Sequence, residues 1–145
     1  MRFELATPTR LLVSAEVDEV VAPGTEGYFG VLPGHAAFLT TLGAGDLMYR
    51  QERQEHHVAV IGGFAEVGGD HVIVLAEVAE LPEEIDRARA ERSRQRAEQR
   101  LSGRSVTGAP EEIDYARATA ALARALARLE VATRGSSASA VPSRS

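Results

Sequence analysis

The residues of this chain best suited to bind a ligand are its arginines. All sixteen basic residues are arginine, and twelve of them lie in residues 83–145. A guanidinium group holds a phosphate through two parallel hydrogen bonds, a geometry that lysine does not match. The same arginines are also typical of ordinary ion pairs along a helix, such as those expected between Arg87 and its neighbours Glu83 and Glu91. Phosphate binding and surface ion pairs therefore both remain open interpretations.

A glycine-rich segment at residues 24–34, followed by His35, is the second candidate for chemistry. It lacks the Gly-Lys-Ser/Thr sequence with which a phosphate loop binds phosphate and metal. A catalytic histidine needs a nucleophile or a carboxylate within reach, and the chain has no cysteine and no Gly-x-Ser-x-Gly turn. We therefore predict no catalytic residue. The segment is expected to form tight turns that present a surface, with His35 either hydrogen-bonded in its own turn or in contact with a partner.

The remaining histidines do not predict a metal site. His56, His57 and His71 are not accompanied by other donors at the spacing of metal ligands, so we interpret them as surface residues. The absence of cysteine excludes thiolate metal sites and disulfide bonds, and it suits a reducing cytoplasm. No apolar segment approaches the roughly 20 residues that span a bilayer, so membrane association is expected only indirectly, through another protein.

The charge of the chain is divided unevenly. The net charge is −5; residues 1–82 carry four arginines and twelve acids, or −8, and residues 83–145 carry twelve arginines and nine acids, or +3. A basic C-terminal part leaves one alternative function open, a nucleic-acid-binding module that uses the arginine-rich helices. The isoelectric point near 5.4 is far below the values typical of such domains and argues against nucleic acid as a partner.

Two kinds of element must position these residues, and they meet near Pro82. Up to that point short β-branched segments alternate with glycine and proline, a pattern typical of a β-sandwich or barrel. Gly62-Gly63 and Gly68-Gly69-Asp70 are expected as turns between strands. The predicted strands span residues 3–7, 11–21, 38–42, 47–50, 57–61, 64–67 and 71–77.

After Pro82 the sequence becomes helical and repeats itself. The five residues 82–86, Pro-Glu-Glu-Ile-Asp, recur at residues 110–114, and proline followed by acids suits the first turn of a helix. Two helices with a short connection predict an antiparallel hairpin. We expect residues 135–145, rich in serine and alanine, to be disordered. The second helix carries a seam of apolar or small residues at three- and four-residue steps, Tyr115, Ala118, Leu122, Ala125 and Leu129.

Three motifs give this chain a family resemblance. Residues 24–36 read Gly-Thr-Glu-Gly-Tyr-Phe-Gly-Val-Leu-Pro-Gly-His-Ala, residues 62–67 read Gly-Gly-Phe-Ala-Glu-Val, and an Ile-Asp-x-x-Arg-Ala helix start begins at Ile85. In this order they resemble the epsilon subunit of the bacterial F-type ATP synthase. The chain departs from the first motif at Ala37, where the family usually has proline. The resemblance covers all of the chain except the C-terminal tail.

The resemblance implies a fold and a role. The fold is an N-terminal antiparallel two-sheet β-sandwich over residues 1–82, followed by a C-terminal antiparallel α-helical hairpin over residues 83–134 and the tail, residues 135–145. The role is that of a non-catalytic rotor subunit in the central stalk, peripheral to the cytoplasmic face of the cell membrane. Such a subunit couples proton translocation to ATP synthesis and inhibits ATP hydrolysis through its C-terminal helices.

The resemblance also implies partners and a regulatory ligand. The sandwich would bind the gamma subunit and the polar loops of the membrane c-ring, and the extended hairpin would reach the alpha/beta catalytic head. No cofactor is required, but some epsilon subunits bind ATP in the folded hairpin. The implied contact residues for gamma and the c-ring are Glu26, Tyr28, Phe29, Pro33 and His35. The positions that match the ATP-binding members are Glu80, Asp86, Arg89, Arg96, Arg124 and Arg128.

Overall fold

The first strand shows why the N-terminal part of the chain forms a sheet. In β1 the side chains of Phe3 and Leu5 are fully buried, whereas Glu4 between them points away from the core, because successive side chains of a strand face opposite sides. The computed structural model describes residues 1–103 and 112–140. Its strands are β1 (Arg2–Thr7), β2 (Arg10–Glu16), β3 (Glu19–Gly24), β4 (Gly27–Val31), β5 (Phe38–Thr41), β6 (Ala44–Gln51), β7 (Gln54–Val67) and β8 (His71–Glu80).

These strands form one hydrogen-bonded sheet that folds over itself, which confirms the predicted β-sandwich. The strand order is β2-β1-β8-β7-β6-β3-β4, with β5 paired to β7. One detail of the prediction is corrected: β1 and β8 run parallel, whereas the other paired strands of the described chain are antiparallel. The largest fully buried side chains of the sandwich are Phe3, Leu5, Val20, Val31, Leu47, Val58, Val60, Val67, Val72 and Val74.

Strand β7 passes through both layers of the sandwich. Its first half pairs with β6 and its second half with β5, and the change occurs at Gly62 and Gly63, whose φ angles are 74° and 119°. A Cβ atom on Gly63 would overlap the carbonyl oxygen of Leu75 and lie 2.7 Å from the Cα atom of Ala76. The sequence predicted a turn between two strands here. The structure has one bent strand, because glycine allows both the positive φ and the close approach of β8.

Two other strand predictions change. Residues 11–21 form two strands, β2 and β3, with a break at Val17 and Asp18, where the amide of Asp18 donates to the carbonyl of Arg50. Strand β4 lies inside the glycine-rich segment and was not predicted. It pairs with β3 through a tight turn at Thr25 and Glu26, so its glycines belong to a hairpin.

The helical part begins later than the proline suggested. Residues Pro82–Glu84 form a single 3₁₀ turn, and α1 spans Arg87–Gly103. Asp86 precedes α1, and its carboxylate accepts a hydrogen bond of 3.1 Å from the amide of Arg89, which is the usual role of an aspartate at a helix start. Helix α2 spans Glu112–Ala140. It continues through Gly135, where the disordered tail was expected to begin. The interhelix loop, with Pro110, and residues 141–145 lie outside the described residues.

The two helices pack through small residues. Ala90 and Ala97 of α1 are buried, as are Ala118 and Ala125 of α2, in agreement with the small members of the predicted seam. Tyr115, in contrast, is 49% exposed. Helix α2 has a second buried set, Ala127 and Val131, which lies on the side of the helix that packs against β6 and β7. The hairpin is therefore docked on the sandwich.

Candidate interaction surfaces

Three of the five predicted contact residues, Glu26, Pro33 and His35, lie in the loops on either side of β4. Glu26 is exposed at the tip of the β3–β4 turn, and Pro33 is exposed in the loop after β4. His35 is partly buried; its Nδ1 atom lies 2.7 Å from the carbonyl oxygen of Ala36, and its ring packs 5.3 Å from that of Phe38. The local hydrogen bond expected for a turn histidine is therefore present, and one edge of the ring stays accessible.

Tyr28 and Phe29, the other two predicted contact residues, have structural roles. The amide of Asp46 donates a 3.0 Å hydrogen bond to the Tyr28 hydroxyl, and the ring of Tyr28 crosses Gly45, where a Cβ atom would overlap the hydroxyl. Burial raises the pKa of Tyr28, and the nearby carboxylates of Glu130 and Asp46 raise it further. Phe29 packs edge-to-face on Phe38 with ring centroids 5.2 Å apart. Tyr28 lies beside Glu130 and Arg134 of the hairpin but remains 56% exposed, so its structural role does not exclude contact with a partner.

An unpredicted row of apolar side chains crosses the outer face of the sandwich. Leu11 of β2, Leu75 of β8 and Phe64 of β7 are 59%, 55% and 54% exposed. The strand registers place them in line, because Leu11 pairs with Ala6, Ala6 with Leu75, and Leu75 with Phe64. We call these four residues, Leu11, Ala6, Leu75 and Phe64, the apolar row.

The apolar row ends at an open groove between the β3–β4 turn and β5. The groove has a volume of about 700 Å³ and is lined by Phe64, by Leu39, which is 70% exposed, and by three members of the predicted contact set, Glu26, Tyr28 and Phe29. Glu26, Tyr28 and Phe29 thus share one groove with Phe64 of the apolar row. Alternating side chains in β7 and β8 are a sequence signal for this row. Which of them face outward can be decided only when the bend of β7 at Gly63 is known.

The candidate ATP residues lie at the end of β8, at the start and middle of α1, and on α2. Arg128 of α2 donates to both carboxylate oxygens of Glu80 at 2.8 and 3.2 Å, so two of the six predicted residues are in direct contact. Asp86 caps α1 through the amide of Arg89. The guanidinium of Arg96 lies 3.2 Å from the hydroxyl of Ser93.

Helix geometry sets where the remaining arginine points. Arg124 is four residues before Arg128 and therefore lies on the same side of α2. This side falls between the face that carries Ala125 and the face that carries Val131, both of which are buried. Arg124 and Arg128 consequently lie on one side of α2, between these two buried faces. The structure brings Arg128 onto Glu80, and it holds Asp86 at the start of the facing helix.

A buried aspartate–histidine pair that was not predicted from the sequence lies beneath the C-terminal part of α2. Asp46 and His57 are 4% and 7% exposed, and Nδ1 of His57 lies 2.8 and 3.0 Å from the two carboxylate oxygens of Asp46. Arg134 of α2 reaches the same carboxylate at 3.3 Å. His57 is therefore not a surface residue, and the surface interpretation is wrong for it. His56 beside it stacks on Tyr49 at 4.8 Å.

The ion pairs seen on α1 are made by Arg94, whereas Arg87, expected to pair with Glu83 and Glu91, contacts α2. Arg94 contacts Glu91 and Glu98, one turn away on either side, and Arg87 donates to the hydroxyl of Thr133 on α2 at 3.0 Å. Within residues 1–103 and 112–140 there is no group of acids and histidines that could hold a metal ion. No helix in these ranges is long and apolar enough to cross a membrane.

Comparisons with known proteins agree with this architecture over residues 1–133. The beta-sandwich domain of the ATP synthase delta/epsilon chain matches residues 1–82, and the long alpha-helix domain of the same chain matches residues 83–133. The protein is 52% identical over 102 residues to the ATP synthase epsilon chain of Nitratidesulfovibrio vulgaris, which covers 70% of this chain and 76% of that one. It is 47% identical over 135 residues to ATP synthase epsilon chain 2 of Syntrophotalea carbinolica, which covers 93% and 95%.

Solved structures show the same fold inside a large assembly. A chain in the cryo-EM structure of the Euglena gracilis mitochondrial ATP synthase, which comprises OSCP, F1 and the c-ring, superposes with a TM-score of 0.75 at 25% identity, covering 90% of this chain and 79% of that chain. A chain of the central stalk and c-ring of the Tetrahymena thermophila mitochondrial ATP synthase shares the fold, with a TM-score of 0.58 at 14% identity and coverage of 90% and 95%. These comparisons give no support to the nucleic-acid alternative.

Proposed function

The chain belongs to the delta/epsilon chain family of ATP synthase, and we propose that, as a non-catalytic epsilon chain of the central stalk, it couples proton movement through the c-ring to ATP synthesis. The observation that carries this proposal is the apolar row with its adjoining groove. Exposed apolar side chains in line across a sheet mark a surface that another protein covers. In a stalk subunit that partner is the gamma subunit.

The loop surface beside the groove suits a second partner. Glu26 and His35 are polar and accessible. Pro33 restricts the backbone of the loop that joins β4 to β5. We propose that this side faces the polar loops of the c-ring. The chain would then be peripheral to the cytoplasmic face of the membrane, held there by its partners.

Binding to gamma can be tested by placing a charge in the apolar row. Phe64→Glu should abolish capture of the chain by purified gamma subunit, because a carboxylate would have to be buried in an apolar contact. Leu126→Glu is the matched control, since Leu126 is an exposed leucine of α2 outside the row. Equal capture of the Phe64→Glu chain, with its melting temperature unchanged, would contradict the proposed surface.

The hairpin is proposed to regulate ATP hydrolysis. In its docked form α2 lies on β6 and β7; in an extended form it would reach along gamma to the alpha/beta catalytic head and inhibit hydrolysis. The docked state offers a place for ATP beside Glu80, Asp86 and Arg128. Arginine forks bind phosphate well, and a phosphate would compete with Glu80 for Arg128. ATP is here a regulatory ligand and not a required cofactor.

A further inference from the structure

We propose that Asp46 is a reversible receptor for the C-terminal part of α2, in which Arg134 is the removable partner of the carboxylate and His57 the permanent one. Nothing in the sequence motifs or in the family match points to this contact. It is built from residues of this chain alone, so it would operate whether or not the chain binds ATP or gamma.

One carboxylate serves two partners at this junction. His57 lies on β7, next to β6, and its Nδ1 atom is 2.8 Å from Oδ1 of Asp46. Arg134 approaches from α2, and its Nη1 atom is 3.3 Å from Oδ2. The side chain of Asp46 is 3% exposed, whereas that of Arg134 is 56% exposed. The sandwich therefore holds a buried anion, and the helix offers it a cation from the solvent side.

The permanent partner makes release of the helix feasible. A buried carboxylate without a partner is strongly unfavourable, so an Asp46 paired with Arg134 alone would fix the helix in place. His57 stays beside Asp46 when α2 leaves, because β6 and β7 are neighbouring strands of the same sheet. Of the two side-chain partners of Asp46, undocking then removes only Arg134, and the carboxylate keeps its hydrogen bond with His57.

The helix is shaped to deliver Arg134 to this place. Glu130, one turn earlier, holds the second guanidinium nitrogen of Arg134 at 3.0 Å. Gly135 follows, and a Cβ atom there would overlap the ring of Pro82. Glycine is disfavoured inside a helix, and its presence here lets α2 lie close to the start of the 3₁₀ turn. A cavity of about 420 Å³ around Asp46, His57, Glu130 and Arg134 gives the guanidinium room to enter and leave.

The docked fraction can be measured in the full-length chain. The sequence contains no cysteine, so Gln54→Cys on β7 and Ala123→Cys on α2, both exposed positions, can carry a pair of spin labels. The distance distribution between the labels then reports docked and undocked populations. We expect Arg134→Ala to raise the ratio of undocked to docked chain roughly three- to tenfold, the size expected for one hydrogen bond whose cation is half exposed to solvent. Arg117→Ala, which removes an exposed arginine of the same helix, should leave the ratio unchanged.

Two further variants test the two partners separately. Asp46→Asn still accepts a hydrogen bond from His57 but no longer attracts Arg134, so it should raise the ratio as Arg134→Ala does, and the double variant should exceed neither single one. His57→Leu should lower the ratio, because Asp46 would then depend on Arg134. The proposal is overturned if Arg134→Ala leaves the ratio unchanged, if the two single effects simply add, or if His57→Leu fails to lower the ratio. Circular dichroism shows whether the variants at the buried positions Asp46 and His57 fold. If one of them does not fold, the effect of the surface variant Arg134→Ala on the ratio tests the proposal.

Discussion

Arg10 grips Glu84 through two hydrogen bonds of 2.7 Å each, between residues 74 positions apart in the sequence. The same guanidinium also donates to the carbonyl oxygen of Ala79 at 3.2 Å. The carboxylate of Glu84 in turn accepts from the amide of Leu81 at 2.9 Å. The second strand of the sandwich is thereby tied to the 3₁₀ turn at which the helical part begins.

This contact predicts an acid-sensitive term in the stability of the chain. The hydrogen bonds from Arg10, followed by that from the amide of Leu81, lower the pKa of Glu84 from 4.5 to about 2. A carboxyl whose pKa falls on folding stabilises the fold above pH 4.5, and that stabilisation is lost as the pH falls towards 2. Arg10→Ala should therefore lower the melting temperature near neutral pH, with a difference that shrinks towards pH 2. Arg92→Ala, an exposed arginine of α1, is the control; a difference that does not change with pH would contradict the assignment.

The bend in β7 predicts a severe effect for one glycine. Gly63→Ala should lower the free energy of unfolding by about 3 kcal/mol or more, because the new methyl group meets the backbone of β8 at a positive φ. Gly69→Ala is the matched control, since a Cβ atom there meets nothing within 4 Å. Urea denaturation of both variants measures the difference. Equal stability of the two would show that β7 does not need its bend.

Substitution of Tyr28 tests whether this residue stabilises the fold or contacts the gamma subunit. Tyr28→Phe removes the acceptor of the Asp46 amide and should cost about 1 kcal/mol of stability, measured by urea denaturation. Binding to gamma should be unaffected, because the apolar row remains intact. A variant of normal stability that loses gamma would instead return Tyr28 to the contact surface predicted from the sequence.

ATP should stabilise the docked hairpin. A ligand at about 100 times its dissociation constant stabilises the state that binds it by about 2.7 kcal/mol, so millimolar ATP should raise the melting temperature. Arg124→Ala should weaken this rise, and Arg100→Ala, an exposed arginine in the last turn of α1, should not. Arg128→Ala should also weaken it, but this variant additionally releases Glu80, so Arg124 is the cleaner probe. No binding of ATP in calorimetry would leave these arginines as ordinary ion-pair residues.

The β-sandwich could be predicted because its signal is local. Alternation in β1 and the glycine turns around β8 depend on neighbouring residues, and the proline with its acids marked the start of the helical part, although α1 begins only at Arg87. The break at Val17 was missed, because residues 11–21 contain neither glycine nor proline and so read as one strand, which is divided only by its pairing with other strands. Gly135 was taken as the start of a tail for a similar reason: it is a glycine required by Pro82, which lies 53 positions earlier in the sequence.

The functional surfaces were harder to predict because they join distant parts of the chain. The sequence pointed to the arginines and to the loop around His35, both of which are marked by composition. It did not reveal that His57 meets Asp46 across neighbouring strands, or that Leu11 and Phe64 lie in one row. Such contacts depend on strand register, which a single residue of slippage would change completely.

The bent strand β7 has a mechanical consequence. His57, beneath the hairpin, and Phe64, in the apolar row, are seven residues apart on this one strand, a span of at most about 23 Å. Between them β7 pairs with β8 from Ala59 onward, and on its other side with β6 as far as Ile61 and with β5 from Phe64. A force applied at Phe64 would therefore be transmitted along β7 to His57 beneath α2, without passing through a loop. In the proposed rotor subunit, β7 would thus connect the apolar row, which binds gamma, stiffly to the face of the sandwich on which α2 docks.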